Sequence, residues 1–245
     1  MSRILVVAGT DSSGGAGLSR DIAMAESLHC SVSPVVTSVT VQTNQALIAS
    51  HAIPPKIIAA QIKAAFDPAG QIPKAIKIGM IGTPEAAESL ARSLPIGVPI
   101  VLDPVLKSSS GGALMSLETL APLLPMVTLL TPNLEESARL SGTCYSPEDP
   151  PDFAAIELQA ERILDRGVAA VLIKGGHGKG AHSLDHLFTT NTHRAFSAPR
   201  LTISKRGTGC SLATALACAL AQGKSLEAAC SLAKSQLTQW LGTVD

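Results

Sequence analysis

Gly207-Thr208-Gly209-Cys210-Ser211 runs directly into Leu212-Ala213-Thr214-Ala215-Leu216-Ala217, so two glycines and a thiol stand where a strong helix former begins. Free N–H groups converge at such a helix start with the positive end of the helix dipole, which suits charge developing on a phosphoryl group in transfer. The same field is expected to lower the thiol pKa of Cys210, which then reads as a base or a close ligand contact; the alternative is an inert core thiol. Cys30, Cys144, Cys218 and Cys230 have no such setting and read as structural. A second glycine cluster, Gly9-Thr10-Asp11-Ser12-Ser13-Gly14-Gly15-Ala16-Gly17, follows an apolar run and leads into a helix. It is a candidate binding loop or, without a ligand, a tight strand-to-helix turn. It is no dinucleotide fingerprint, because the third glycine would have to stand at Arg20. Gly223-Lys224-Ser225 is no Walker A either, since the earlier glycine that motif needs is Cys218; it reads as one helix ending and the next being capped.

The charged candidates lie at the ends of apolar runs. Asp103 closes Ile100-Val101-Leu102, and Thr131-Pro132-Asn133-Leu134-Glu135-Glu136 follows Val127 to Leu130. In parallel sheets ligands bind beyond the carboxyl ends of the strands. Asp103 and Glu136 are therefore candidates to hold a hydrated Mg²⁺ whose remaining ligands come from a nucleotide's phosphates. Asn133 and Glu136 equally fit a helix cap and its capping box, and the two roles are compatible. Lys174 closes Val171-Leu172-Ile173 before Gly175-Gly176, as a phosphate contact or a solvated lysine. His182 and His186 have the spacing of a helical metal pair, but their surroundings suggest a hairpin that would separate them, and His177 is a lone histidine within reach of a nucleotide.

The elements that must carry these residues alternate in kind. Short Val/Ile runs, from Ile4-Leu5-Val6-Val7 to Val171-Leu172-Ile173, alternate with Ala/Leu stretches of helical spacing, the rhythm of a parallel βαβ sheet. Lys56 to Phe66 puts Ile58, Ile62, Ala65 and Phe66 on one helical face behind Pro54-Pro55. Thr83-Pro84-Glu85-Ala86 is a cap, a first-turn proline and an early acid, and the helix it opens should stop before Pro95. Ser225 is expected to cap a last helix whose Leu226, Ala229, Ala233, Leu237 and Trp240 form a core stripe. Leu187-Phe188 and Ala195-Phe196 suggest an antiparallel hairpin added to the sheet. Cys144 to Asp152 reads as a loop, which leaves one domain over residues 1–245.

Composition narrows the function classes. With 19 Lys+Arg against 19 Asp+Glu and only six aromatic residues, the chain has neither the basic field nor the stacking platforms that nucleic acid requires. Leu212 to Ala221 falls short of the roughly 18 to 20 apolar residues that span a bilayer, so no membrane partner is expected. The run Ile4 to Ala8 is too short for a signal sequence, and five cysteines without a Cys-x-x-Cys pair fit reduced thiols, so a cytoplasmic protein is expected.

Taken in order, Ala8–Gly17, Lys77-Ile78-Gly79-Met80, Leu102-Asp103-Pro104-Val105, Thr131–Glu136 and Gly207-Thr208-Gly209-Cys210 resemble the hydroxymethylpyrimidine/phosphomethylpyrimidine kinases of thiamine biosynthesis, within the ribokinase-like superfamily. The resemblance runs from about Ile4 to Trp240. It implies a three-layer α/β fold with a central, mostly parallel sheet, a homodimer, and the use of ATP with Mg²⁺. The implied reaction phosphorylates a hydroxymethylpyrimidine and then its monophosphate. Residue by residue, Asp21 and Gln42 would hydrogen-bond the pyrimidine, with Gly9 and Met80 lining its pocket. Cys210 stands where related sugar kinases carry an aspartate base, and Gly207 and Gly209 would line the anion hole. Asp103 and Glu136 would organise metal and phosphates, while Lys174, Asn133 and Thr208 would contact the nucleotide. Lys205-Arg206 replaces the family's usual Thr-His, and Val105 to Gly112 is similar to the family's loop without matching it, departures that bear on the second phosphorylation. A vitamin B6 kinase on the same scaffold is the nearest alternative, and a catalytically silent pyrimidine-binding protein is the alternative of a different class.

Overall fold

Leu5, Val7, Ile76 and Ile78 face one apolar layer while Ile4, Val6, Ala75 and Val101 face another, so the central strands are covered on both sides, as parallel strands require. This is the computed structural model of the chain, and it describes residues 1–107, 114–176, 178–203 and 205–243. Ser108 to Gly112 and His177 therefore lie outside the described residues.

The elements run β1 (Ser2–Asp11), α1 (Gly17–Ser27), β2 (Cys30–Gln42), β3 (Leu47–Ala52), α2 (Pro55–Ala65), β4 (Ala75–Ile78), α3 (Pro84–Ser93), β5 (Ile100–Leu102) and α4 (Leu117–Leu120). They continue as β6 (Leu129–Leu130), α5 (Leu134–Ser141), α6 (Phe153–Leu164), β7 (Ala170–Lys174), β8 (His182–Thr189), β9 (His193–Pro199), α7 (Thr208–Ala221) and α8 (Leu226–Leu241). Among the described residues the strands form one sheet in the order β3-β2-β1-β4-β5-β6-β7-β8-β9. The strands from β2 to β7 pair in parallel, and β3, β8 and β9 join antiparallel at the two edges. Residues of α2, α3, α5 and α6 pack on one face, and those of α1, α7 and α8 on the other, giving the three-layer α/β architecture expected.

Local signals set most boundaries. Thr83 Oγ1 accepts from the Ala86 N–H at 3.2 Å and opens α3, and Leu94, in extended backbone before Pro95, ends it. Ser225 accepts from the Ala228 N–H and opens α8, while Gly223, at φ +82°, follows the end of α7. The strand read from Val127 to Leu130 is shorter than expected: Leu124–Met126, with Pro125 inside it, forms a 3₁₀ turn, and the strand is confined to Leu129–Leu130. His182 and His186 lie on β8, where four residues of strand separate them by about 13 Å. They are not a metal pair.

Candidate active site

The carboxyl ends of β1, β4, β5, β6 and β7 and the N-termini of α1, α5 and α7 surround one cavity of about 700 Å³. At its centre stands the start of α7. Gly207, at φ +77°, precedes the helix, and the first helical bond to it runs from the Ser211 N–H to the Gly207 carbonyl at 2.8 Å. The N–H groups of Thr208, Gly209 and Cys210 consequently have no acceptor within the helix. Glycine is required at position 207, where the two glycine loops touch, and at position 17, where the first loop folds back on the end of β1. A Cβ on Gly207 would lie 2.5 Å from the Gly15 carbonyl oxygen, and one on Gly17 would lie 2.4 Å from that of Gly9. The two glycine loops thus meet through bare backbone.

Opposite α7, Lys174 Nζ donates to Asp103 Oδ1 at 3.0 Å, and both side chains are largely buried. Burial opposes the charge on Lys174, but Asp103 and Glu136 outweigh it and raise the lysine's pKa. A Cβ on Gly209 would lie 3.2 Å from Asp103 Oδ2 and 3.4 Å from Lys174 Nζ, so the absent side chain keeps the helix start open to the ion pair. Asn133 caps α5 in a full capping box: its Oδ1 accepts from the Glu136 N–H and Glu136 Oε2 accepts from the Asn133 N–H, both at 2.8 Å. Glu136 still lines the cavity, and burial, helped by the Asp103 charge, pushes its carboxyl up to about 7 against the pull of Lys174. Such a carboxylate is one that a bound divalent cation would ionise. Among the described residues no three metal-ligating side chains cluster.

Gly9, Gln42 and Met80 line the other end of the cavity. Gly9 sits where the β1–β2 register slips, and a Cβ there would come within 3.2 Å of Met80 Sδ. Asp21 departs from its expected position. It is fully buried and does not line the cavity, its carboxylate receiving Lys77 Nζ at 2.8 and 2.9 Å and Thr214 Oγ1 at 2.8 Å. The helical face that places Asp21 on α1 turns it toward β4 rather than toward a ligand. The expected activation of Cys210 is reversed as well. Burial outweighs the Lys77 charge and a backbone hydrogen bond from Gly17, and pushes the thiol up to about 11. The Cys210 thiol is therefore protonated at neutral pH, although it lies against the cavity as expected.

Three ion pairs, Lys77–Asp21, Asp185–Lys234 and Arg206–Asp11, escaped the sequence reading. Lys77 lines the cavity and is completely buried. A lysine inside the apolar run Ala75-Ile76-Lys77-Ile78 signals a buried counter-charge, though not where in the chain it lies. Asp185 and Lys234 form a third largely buried pair at 2.8 Å, with Asp185 Oδ1 also accepting from the Gly175 N–H beside Lys174. Arg206 reaches Asp11 Oδ2 at 3.1 Å across the mouth of the cavity. Among the described residues no helix is long and apolar enough to cross a membrane.

Comparison with known proteins agrees with this geometry. The model of the family described as phosphomethylpyrimidine kinase matches residues 11–243. The hydroxymethylpyrimidine/phosphomethylpyrimidine kinase of Rhizobium meliloti is 36% identical over 98% of this chain and 91% of its own length. That of Salmonella typhimurium is 36% identical over 100% and 93%. The crystal structure of phosphomethylpyrimidine kinase from Clostridium difficile superposes with a TM-score of 0.82 at 30% identity, covering 98% of this chain and all of that one. An ADP complex of Bacillus subtilis pyridoxal kinase superposes with 0.81 at 27% identity, covering 96% and 90%. A matched family model over nearly the whole length and relatives above one-third identity lead to one conclusion: the chain belongs to the phosphomethylpyrimidine kinase family.

Proposed function

We propose that the chain is a single-domain, cytoplasmic kinase that transfers the γ-phosphoryl group of ATP to hydroxymethylpyrimidine and then to its monophosphate. The observation that carries this reading is the open helix start at Gly207–Cys210 facing the Asp103–Lys174 pair at 3.0 Å within one cavity. In this reading Gly9, Gln42 and Met80 hold the heteroaromatic ring and aim its hydroxymethyl group at Cys210. The N–H groups of Thr208, Gly209 and Cys210 receive the charge that develops on the transferring group, and Lys174, steered by Asp103, meets the nucleotide's phosphates. Mg²⁺ would be held by Asp103 and Glu136 and would neutralise phosphate charge. Catalysis is then positioning and electrostatics, and the protonated Cys210 thiol serves as a contact beside the acceptor.

Pyridoxal is the rival acceptor, favoured by the likeness to the Bacillus subtilis pyridoxal kinase. A coupled assay of ADP release from Mg-ATP, with the two pyrimidines and pyridoxal offered separately, separates the readings. Turnover on both pyrimidines is expected, and a kcat/KM for pyridoxal exceeding that for the pyrimidine alcohol would overturn the assignment. Silence on all three would leave a binding protein. The homodimer belongs to the same proposal. It is supported by Val39, Val41 and Ile48, exposed on the outer β2–β3 ribbon, and sedimentation velocity at micromolar concentration tests it.

A further inference from the structure

We propose that Arg206 is a positioning residue for the acceptor: gripping Asp11 and Ser13 on one side and Thr43 and Asn44 on the other, it fixes Gln42 and so sets affinity for the heteroaromatic ring. This inference rests on the reading of Gln42 as an acceptor contact. Arg206 donates to Asp11 Oδ2 at 3.1 Å and to Ser13 Oγ at 2.7 Å on the first glycine loop. It also donates to the Thr43 carbonyl at 3.3 Å and to Asn44 Oδ1 at 3.1 Å just beyond β2. Between those anchors, Ser12 Oγ accepts from the Gln42 N–H and donates to the Gln42 carbonyl, both at 2.8 Å. The backbone of Gln42 is thus clamped by a loop that Arg206 itself holds in place.

The grip is sheltered and specific to a guanidinium. The Arg206 and Asp11 side chains are 18% and 5% exposed, so the ion pair is poorly screened by solvent. Four oxygens on two segments lie within reach of one planar fork, three of them sharing the two N–H groups of Nη1 and the fourth taken by Nη2, a spread that a lysine's point charge cannot match. Gly15 keeps the space the fork needs, since a Cβ there would lie 3.1 Å from Arg206 Nη1. Gly207, next in sequence, rests on Gly15 itself. Arg206 therefore also couples the start of α7 to the loop around the acceptor.

The test measures KM for the pyrimidine alcohol and for ATP in Arg206→Ala, Arg206→Lys and Asn44→Ala. Losing this network is expected to raise the acceptor KM about tenfold or more in Arg206→Ala, with KM for ATP within about twofold. Arg206→Lys should recover part of the loss, and Asn44→Ala, on an exposed loop, should show a smaller rise that disappears in the Arg206→Ala background. An unmoved acceptor KM, or equal losses for acceptor and ATP, overturns the proposal. Hydrogen exchange on the ligand-free proteins covers the case of a variant or acceptor without turnover. Residues 10–17 and 42–46 should exchange faster in Arg206→Ala while β4 and β5 do not, and unchanged exchange in those segments overturns the proposal whatever the substrate. Absence of turnover on pyrimidine by the unaltered protein would instead refute the functional reading.

Discussion

Asp21→Ala strands a lysine in the middle of the sheet. Lys77 and Asp21 are both fully buried, 2.8 Å apart, and Thr214 spends its hydroxyl proton on the same carboxylate. Removing one member of a buried pair costs about 3–5 kcal/mol, because the remaining charge keeps its desolvation penalty without its partner. Losing the Thr214 bond adds about 1 kcal/mol. A total near 5 kcal/mol should lower Tm by about 10–20 °C in a domain of this size. Burial alone would discharge Lys77, but Asp21 outweighs it and holds the lysine's pKa above its ordinary value. A raised lysine pKa contributes stability that is fully present below the unfolded value and is lost only as pH rises through the folded one. The parent's pair should therefore contribute evenly from pH 6 to about pH 9, whereas in Asp21→Ala burial alone lowers the Lys77 pKa, so the variant regains stability and the loss shrinks as pH rises over that range. Urea unfolding followed by the fluorescence of the single tryptophan, Trp240, reads it directly. The paired replacement Asp21→Leu with Lys77→Met should recover stability to within about 1 kcal/mol of the parent. A loss below about 1 kcal/mol in Asp21→Ala, or a double variant no better than the single one, would refute the reasoning. An increased acceptor KM without loss of stability would return Asp21 to the ligand.

Glu136, pushed up to about 7, binds its proton more tightly folded than unfolded, so ligand-free stability should fall by about 3 kcal/mol as pH rises from 4.5 through 7. Glu136→Gln keeps an acceptor for the Asn133 N–H, so it should flatten that profile and raise stability at pH 8 while lowering kcat; lower stability at pH 8 contradicts the argument. Gly209→Ala puts a methyl group against Asp103 and Lys174 and should lower kcat about a hundredfold with Tm within about 3 °C, and full activity would show that the helix start is not the phosphoryl site. Cys210→Ala should sharply lower turnover with the fold intact, and alkylation of Cys210, resolved by mass spectrometry, should keep accelerating past pH 9; a plateau near pH 7 would mean an activated thiolate after all.

Local chemistry was legible in the sequence because it acts over a few residues. Thr83, Asn133 and Ser225 announce the helices they cap, and the Leu187-Phe188 and Ala195-Phe196 pattern announces the hairpin. The glycine loops and the strand-end residues Asp103 and Lys174 were readable for the same reason, since parallel strands bring their ends to one side. Partners distant in sequence were not. Nothing beside Asp21 shows that its carboxylate turns to a lysine 56 residues away, and nothing beside Arg206 names Asp11. The helix dipole at Cys210 suggested an acidic thiol, but the extent of burial that reverses it belongs to the assembled sheet.

The bond from Thr214 to Asp21 spans 193 residues, and α7, which carries both Thr214 and the open helix start, lies close to the end of the fold. On a ribosome adding roughly 5–20 residues per second, Asp21 emerges some 10 to 40 s before the Thr214 hydroxyl that its carboxylate accepts. An unfinished chain therefore carries the Asp21–Lys77 pair without its third partner and the cavity without the open helix start at Gly207–Cys210, so both the core and the site close only when α7 arrives.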